Sequence, residues 1–461
     1  MTVRPVQSIL MWMPINRFLF LLKDELRGRV GISPFCSLLS LISIAIVFLS
    51  SLSPQRVSAE SGHMILPDLL QEALKSNPDI LSSEARTTAS EYKIPQARSL
   101  PDPMFMFGYQ NEGWERYTLG EEIGAKWMFS ASQKFPFPGK LPLKGEMTSR
   151  EAEGQRAFSQ SVKLKVIANI KSLYYDLFLA YKDIDLIRDK TVLFQKIEDA
   201  ALARYSTGMG MQQEVLIAQT EKYMLMEREE MLKQKIESLE AMLNAATGKA
   251  VDAPLARPAD LLPSPNDKNM DKLISLAEEN SPELKIKQKM LASSEVRQRL
   301  AEKDYYPDFT VTATYEKRGG DFMDMWSLTT AFNIPLYYRQ KQRQAVYETK
   351  ADVEGALHDI EATKLQIFSA IRDNYSMTKT AEKLMDLYKN GLIPKTRQEF
   401  ESALAGYITG KGEASGVITR LKSLIDFETL YWGQFVEKEK AIARLDALTG
   451  TMGQILEDTA K

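Results

Sequence analysis

The chain has 461 residues, 44% hydrophobic and 26% charged. Its mean hydropathy of −0.27 is too polar for a bundle of membrane-spanning helices. Only the run from Cys36 to Leu52 approaches the roughly 20 apolar residues that one such helix needs. Lys and Arg number 59 against 61 Asp and Glu, so no basic excess points to nucleic acid, and one Cys with two His excludes a disulfide framework and argues against a His/Cys metal site.

The N-terminus reads as a secretory signal peptide over residues 1–59. Arg4, Arg17, Lys23, Arg27 and Arg29 precede the apolar run, and Val57-Ser58-Ala59 puts small residues before a cleavage point. The basic region is long, which makes Met11 or Met13 an alternative start, and an uncleaved anchor helix is the competing reading. Cys36 precedes the apolar core, whereas a lipid-attachment cysteine would follow it, so it belongs to the signal. Cleavage leaves a mature chain without cysteine, in keeping with an exported compartment.

The remainder is written twice. Ala201-Leu202-Ala203-Arg204-Tyr205-Ser206-Thr207-Gly208-Met209-Gly210 recurs as Ala403-Leu404-Ala405-Gly406-Tyr407-Ile408-Thr409-Gly410-Lys411-Gly412. Thr247-Gly248 recurs as Thr449-Gly450, Asn77-Pro78-Asp79-Ile80 as Ser281-Pro282-Glu283-Leu284, and Pro101-Asp102 as Pro307-Asp308. The boundaries are 60–255 for the first repeat and 256–461 for the second. A period this long is a duplicated domain rather than a solenoid unit.

Each repeat opens with a helical pattern, Leu66–Leu100 and Met270–Tyr305. Two alternating segments follow, Met104–Tyr109 and Ile123–Phe135 in the first repeat, Asp308–Glu316 and Trp326–Ile334 in the second. Ile123, Ala125, Trp127, Phe129 and Ala131 fall on one side of such a strand, and Gly124, Lys126, Met128, Ser130 and Ser132 on the other. Pro136, Pro138 and Pro335 mark the change from strand to helix. Long helical stretches come next, Leu143–Tyr205 and Gln342–Tyr407, interrupted only by Pro394. A 60-residue helix is about 90 Å long, which suits coiled-coil packing better than a compact core. Both end at Gly-x-Gly turns, Gly208/Gly210 and Gly410/Gly412, about tips 205–214 and 407–416, from which a return helix of about 35 residues runs back. The opening and return helices together match one long helix in length, as in a wall of paired long and split columns.

The pattern is thus mainly α with a small β part, in duplicated helix–strand–strand–helix–turn–helix order. Four amphipathic strands cannot close a membrane barrel, which starts near eight, and an open edge cannot face lipid. Either the strands form a soluble sheet or several chains share one barrel; three chains would supply twelve strands. The aromatic cluster of Tyr109, Trp114, Tyr117, Trp127, Phe129, Phe135 and Phe137 suits a membrane interface.

This order resembles the TolC family of outer-membrane efflux channel proteins. The motifs that carry the resemblance are Leu69-Leu70-Gln71-Glu72-Ala73-Leu74-Lys75-Ser76-Asn77-Pro78 and Arg204-Tyr205-Ser206-Thr207-Gly208 followed by Val215-Leu216-Ile217-Ala218-Gln219. Leu100-Pro101-Asp102-Pro103 and Ser132-Gln133-Lys134-Phe135-Pro136-Phe137-Pro138-Gly139-Lys140-Leu141 are similar to the heavy-metal and cation efflux branch. The resemblance implies a homotrimer: a 12-stranded outer-membrane β-barrel in lipid, continued by a long periplasmic α-helical barrel. It also implies a periplasmic adaptor protein and an inner-membrane pump of the resistance–nodulation–division type as partners. It further implies that Arg204, Tyr205, Thr207, Gly208, Gly210, Tyr407, Thr409, Gly410 and Gly412 form an adaptor-contacting tip, and that acidic residues just beyond it, Glu214 and the out-of-register Glu413, narrow the entrance and attract cations. At the position matching Glu214 the second repeat has Gly416, which weakens the case for a full acidic ring.

No phosphate-binding Gly-x-x-x-x-Gly-Lys-Ser/Thr loop and no histidine cluster occurs, so the expectation is a passive duct rather than an enzyme, with no cofactor, no metal and no nucleic acid partner. The 21 methionines, Met104, Met106, Met128, Met209, Met211, Met224, Met226 and Met231 among them, read as packing residues, and His63 and His358 as isolated surface residues. An outer-membrane duct for type I protein secretion and an exported coiled-coil scaffold are the alternative functions.

Overall fold

The computed structural model describes residues 63–261, 263–264 and 269–451; the expected signal peptide lies outside the described residues. In the first repeat helices α1 (Leu66–Ser76) and α2 (Pro78–Arg98) lead to strands β1 (Met104–Gln110) and β2 (Lys126–Phe135), then to helices α3 (Lys140–Ser206) and α4 (Gln212–Thr247). The second repeat follows the same order: α5 (Met270–Asn280), α6 (Pro282–Lys303), β3 (Phe309–Lys317), β4 (Met325–Phe332), α7 (Gln342–Asp386), a π-helical segment (Leu387–Leu392), α8 (Ile393–Ile408) and α9 (Ala414–Thr449).

The opening helix expected in each repeat is in fact two. Proline has no N–H to donate and pushes the residue before it out of the helical region. Asn77 and Ser281 accordingly adopt extended ψ values of 123° and 120° before Pro78 and Pro282. Asn77 turns the break into a cap, its Oδ1 accepting from the Asp79 and Ile80 amides at 2.9 and 3.1 Å. Its Nδ2 donates to the Ala246 carbonyl at 2.7 Å, which docks the end of α4 onto the break. The split column foreseen from the helix lengths is therefore stacked there. Gly248 makes the close approach possible: its φ is +81°, and a Cβ would stand 2.4 Å from the Ser76 carbonyl oxygen. Gly450 repeats the arrangement against the Asn280 carbonyl.

Helix α3 runs unbroken for 67 residues, about 100 Å at 1.5 Å per residue. Buried Ile167, Ile170, Tyr174, Leu177, Ile184, Ile187, Lys190, Phe194, Ile197 and Ala201, with partly buried Tyr181, recur at steps of three and four residues, giving the seam of a coiled coil. Lys190 is the charged member. Its Nζ reaches Glu428 of α9 at 2.7 Å, and Arg397 of α8 takes the second carboxylate oxygen at 2.9 Å. The matching long helix of the second repeat is interrupted by the π-segment, where Ile393 N–H bonds back to the Tyr388 carbonyl ahead of Pro394.

The four strands form one antiparallel sheet in the order β1-β2-β3-β4. A single row across it, Phe107, Phe129, Tyr315 and Trp326, is aromatic on one face; the adjacent row, Met106, Ser130, Thr314 and Ser327, lies on the other. Strand β2 starts at Lys126 rather than Ile123, because residues 111–125 fold into their own loop. Asn111 Oδ1 accepts from Tyr109, Thr118 N and Thr118 Oγ1, and Glu112 accepts from the Gly124 amide. Ile123 and Ala125 therefore do not continue the strand face. All eight residues of β4 are exposed, and β1 and β4 leave both sheet edges open.

Gly248→Ala is expected to lower the thermal midpoint, since the left-handed conformation alone costs a side-chain residue about 1–2 kcal/mol and the Cβ also meets the Ser76 carbonyl. Gly355→Ala, whose Cβ meets nothing within 4 Å in helix α7, is the control and should not lower it. Asp183 of α3 has a buried oxygen without a hydrogen-bond partner. Burial pushes its pKa up to about 6, against the pull of Lys235 and Arg228. A carboxyl raised in the folded state holds its proton there after the unfolded chain has lost it, so stability falls as pH rises from about 4 through 6. Asp183→Asn should raise the melting midpoint at pH 7.5, and the gain should disappear at pH 4.5.

Candidate functional site: the hairpin tips and the strand–helix junction

At the tips the chain reverses between α3 and α4 and between α8 and α9. Gly208 and Gly410 supply the left-handed residues, at φ +73° and +80°. Thr207 Oγ1 donates to the Ala203 carbonyl at 3.1 Å, and Thr409 Oγ1 to the Ala405 carbonyl at 3.1 Å, so both hydroxyls close the last helical turn while remaining exposed. Gly210 is needed for space, a Cβ there standing 2.9 Å from Arg204 Cβ; at Gly412 the space is ordinary. Glu413 is the exposed residue before α9, its carboxylate accepting from Ser415 Oγ at 3.2 Å.

The two tyrosines, alike in sequence, differ in setting. Tyr205 is 46% exposed, whereas Tyr407 is fully buried and presents no surface to a partner, which corrects the expectation of equivalent contact roles. The Arg204 guanidinium lies 4.6 Å from the centre of the Tyr407 ring and donates to the Tyr407 carbonyl at 2.7 Å. The Tyr407 hydroxyl donates to Glu214 Oε2 at 3.2 Å. Burial and then the Glu214 charge push the Tyr407 phenol up to about 12, so it stays a donor throughout the ordinary pH range. Arg204 and Glu214 thus grip Tyr407 from the other hairpin. The grip has one direction only, because Gly406 and Gly416 stand where the second repeat would need Arg and Glu. Glu214 is half-buried in this contact rather than free in a ring. Of the expected tip residues, the structure joins Arg204, Tyr407 and Glu214 and leaves Tyr205, Thr207, Gly208, Thr409, Gly410, Gly412 and Glu413 exposed; Gly210 is partly buried.

A second cluster, unmarked in the sequence reading, lies where strand passes into helix. Lys140, at the start of α3, has a side chain only 8% exposed. Its Nζ meets Asp308 Oδ1 at 2.9 Å, Asp304 Oδ1 at 3.0 Å and the Tyr306 carbonyl at 3.3 Å. Burial alone would lower the Lys140 pKa, but the two carboxylates outweigh it and the net shift is upward. The Phe137 amide donates to the same Asp308 oxygen at 2.9 Å, and the Phe137 and Tyr306 rings stack at 4.5 Å. This contact holds the first repeat's β2–α3 junction on the second repeat's α6–β3 junction. The signal for it was the repeated Pro-Asp pair, whose carboxylate partner the linear sequence does not name.

Among the described residues, no helix is long and apolar enough to cross a membrane, and no group of three or more His, Cys, Asp or Glu is placed to hold a metal ion.

The family model for outer membrane efflux proteins matches residues 69–249 and 273–417. A search of curated proteins finds no significant match. Among solved structures, the outer membrane protein VceC of Vibrio cholerae superposes with a TM-score of 0.72 at 17% identity, over 84% of this chain and 96% of that one. The CmeC outer membrane channel of Campylobacter jejuni gives 0.72 at 14%, over 84% and 85%, and CusC gives 0.72 at 12%, over 84% and 92%. At these identities the superpositions establish the fold: strands that belong to a β-barrel, continued by a helical barrel. The family match, spanning most of both repeats, places the strands in the outer membrane and the helices in the periplasm, and the chain belongs to the outer membrane efflux protein family, the TolC family that its motifs resemble.

Proposed function

We propose that three copies of this chain form the passive exit duct of a tripartite efflux system, receiving small toxic compounds or metal cations from an inner-membrane pump through a periplasmic adaptor. The observation that carries this reading is the four-stranded sheet with one aromatic face and two open edges, leading into the unbroken 67-residue helix α3 in the first repeat and the π-interrupted column α7–α8 in the second. Such a unit supports a conduit continued from barrel to tunnel and suits no reaction centre. The exposed tip side chains, Tyr205, Met209, Met211 and Ile408, offer apolar surface for an adaptor. The Arg204–Tyr407–Glu214 grip is the closing latch: it holds the second hairpin against the first, and the second hairpin moves outward when the grip is released.

Reconstitution into planar bilayers tests both parts. Purified trimers should conduct, with a small unitary conductance for the wild type. Tyr407→Phe removes one hydrogen bond to a charged group, worth about 1.5–3 kcal/mol, and should raise the conductance severalfold. Arg204→Ala removes the ring contact and the carbonyl bond together and should raise it further. No conductance from any variant would count against the duct, and equal conductance from all three against the latch.

A further inference from the structure

The two hairpins share one register. Replacing Met104, Phe105 and Met106 of β1 by Thr310, Val311 and Thr312 of β3, and Ser130, Ala131 and Ser132 of β2 by Thr329, Thr330 and Ala331 of β4, converts the pairs Met104–Ser132, Phe105–Ala131 and Met106–Ser130 into Thr310–Ala331, Val311–Thr330 and Thr312–Thr329. All six pairs are observed. The replacement also aligns Pro101-Asp102 with Pro307-Asp308 and Phe135-Pro136 with Ile334-Pro335, so it rests on the sequence repeat and on the ladder independently.

The contact between the hairpins, β2 against β3, then serves as a template. Strand β4 holds the place of β2, and the strand it lacks holds the place of β3, which is that of β1. The chain's own β1 lies at the far edge, beyond β2 and β3, so the missing strand comes from a second copy. The observed pairs Ser132–Thr312, Phe129–Tyr315 and Gln133–Val311 transform into Ala331–Met106, Leu328–Tyr109 and Phe332–Phe105. We infer that β4 of one copy pairs antiparallel with β1 of the next in the register that sets Ala331 against Met106, Leu328 against Tyr109 and Phe332 against Phe105. This rests on the reading of the sheet as one third of a shared barrel.

Two further features agree with the register. It keeps the aromatic row on one face and the polar row on the other, which a slip of one residue would invert. It also reproduces the junction contact. Lys140 stands four residues after Pro136, and Arg339 four after Pro335; Asp308 follows Pro307, and Asp102 follows Pro101. Asp102 and Arg339 are both exposed, and among the described residues neither has an ion partner within its own chain. The same junction leaves Leu336 76% exposed, where its counterpart Phe137 is stacked on Tyr306, and the adjoining Tyr337 is equally exposed. The copy that supplies β1 supplies Asp102 to Arg339 as Asp308 is supplied to Lys140. A slip of two residues would preserve the faces but carry this charge pair about 7 Å out of step.

Cysteine pairs in a Cys36→Ser background test the register in the membrane-assembled protein. Opposed residues of an antiparallel ladder have Cα atoms about 4.5–5.5 Å apart, within disulfide range. Ala331→Cys with Met106→Cys should give covalent trimers on a non-reducing gel, at least tenfold above Thr329→Cys with Met106→Cys, the pair slipped by two. Leu328→Cys with Tyr109→Cys, on the opposite face, should also give trimers, and covers the case in which the first pair fails to assemble. Ser132→Cys with Thr312→Cys is the intrachain counterpart and reports that the sheet has formed and been oxidised. Trimers from the slipped pair instead would overturn the register and leave the shared barrel standing. No interchain product from any pair, with the intrachain control oxidised, would overturn both.

Discussion

Everything in this molecule follows from a sheet that cannot be finished by one chain. Four strands with an aromatic face leave two rows of backbone amides and carbonyls without partners at β1 and β4. In lipid each unpaired group costs several kcal/mol, with no water to replace the missing bond. In the outer membrane the sheet is therefore stable only inside a closed ladder. The helices inherit that closure, because the first strand hairpin is joined to its long helix by four residues, Pro136 to Gly139, and the second by the short segment Asn333 to Lys341.

Within the chain the duplication sets one repeat's contacts beside their counterparts in the other. Long helices of equal length lie beside split columns, and the docking of Gly248 on the α1–α2 break is repeated by Gly450 on the α5–α6 break. Where the repeats differ, the difference marks a contact made in only one direction. Arg204 and Glu214 have glycines as their counterparts and grip Tyr407 alone. Lys190 occupies a seam position and meets Glu428. Sliding one hairpin a turn past the other would leave two charges buried without partners, a loss far greater than what the pair contributes in place. Such contacts set register more than they add stability.

Much of the fold was legible in the sequence because helices, strands and caps answer to local rules. Alternation marked β2 and β3, glycine pairs marked the tips, and apolar residues at steps of three and four marked the α3 seam. The departures were local as well. Pro78 and Pro282 split helices that apolar periodicity carried through, and the hydrogen bonds of Asn111 and Glu112 drew residues 111–125 away from β2. The candidate site was less legible. Tyr205 and Tyr407 share one motif, yet one faces solvent and the other is sealed under Arg204.

By itself the sequence determined the duplicated order, the lengths of the columns, the amphipathic strands and the positions of the tips, since each depends on residues near one another along the chain. Only the tertiary structure decided which tyrosine is buried, that Glu214 is engaged by Tyr407, that Lys140 finds Asp308, and that the sheet runs β1-β2-β3-β4 with open edges. These contacts join residues from different repeats, more than a hundred positions apart. No local periodicity encodes which of many chemically suitable partners packing and desolvation will bring within hydrogen-bonding distance.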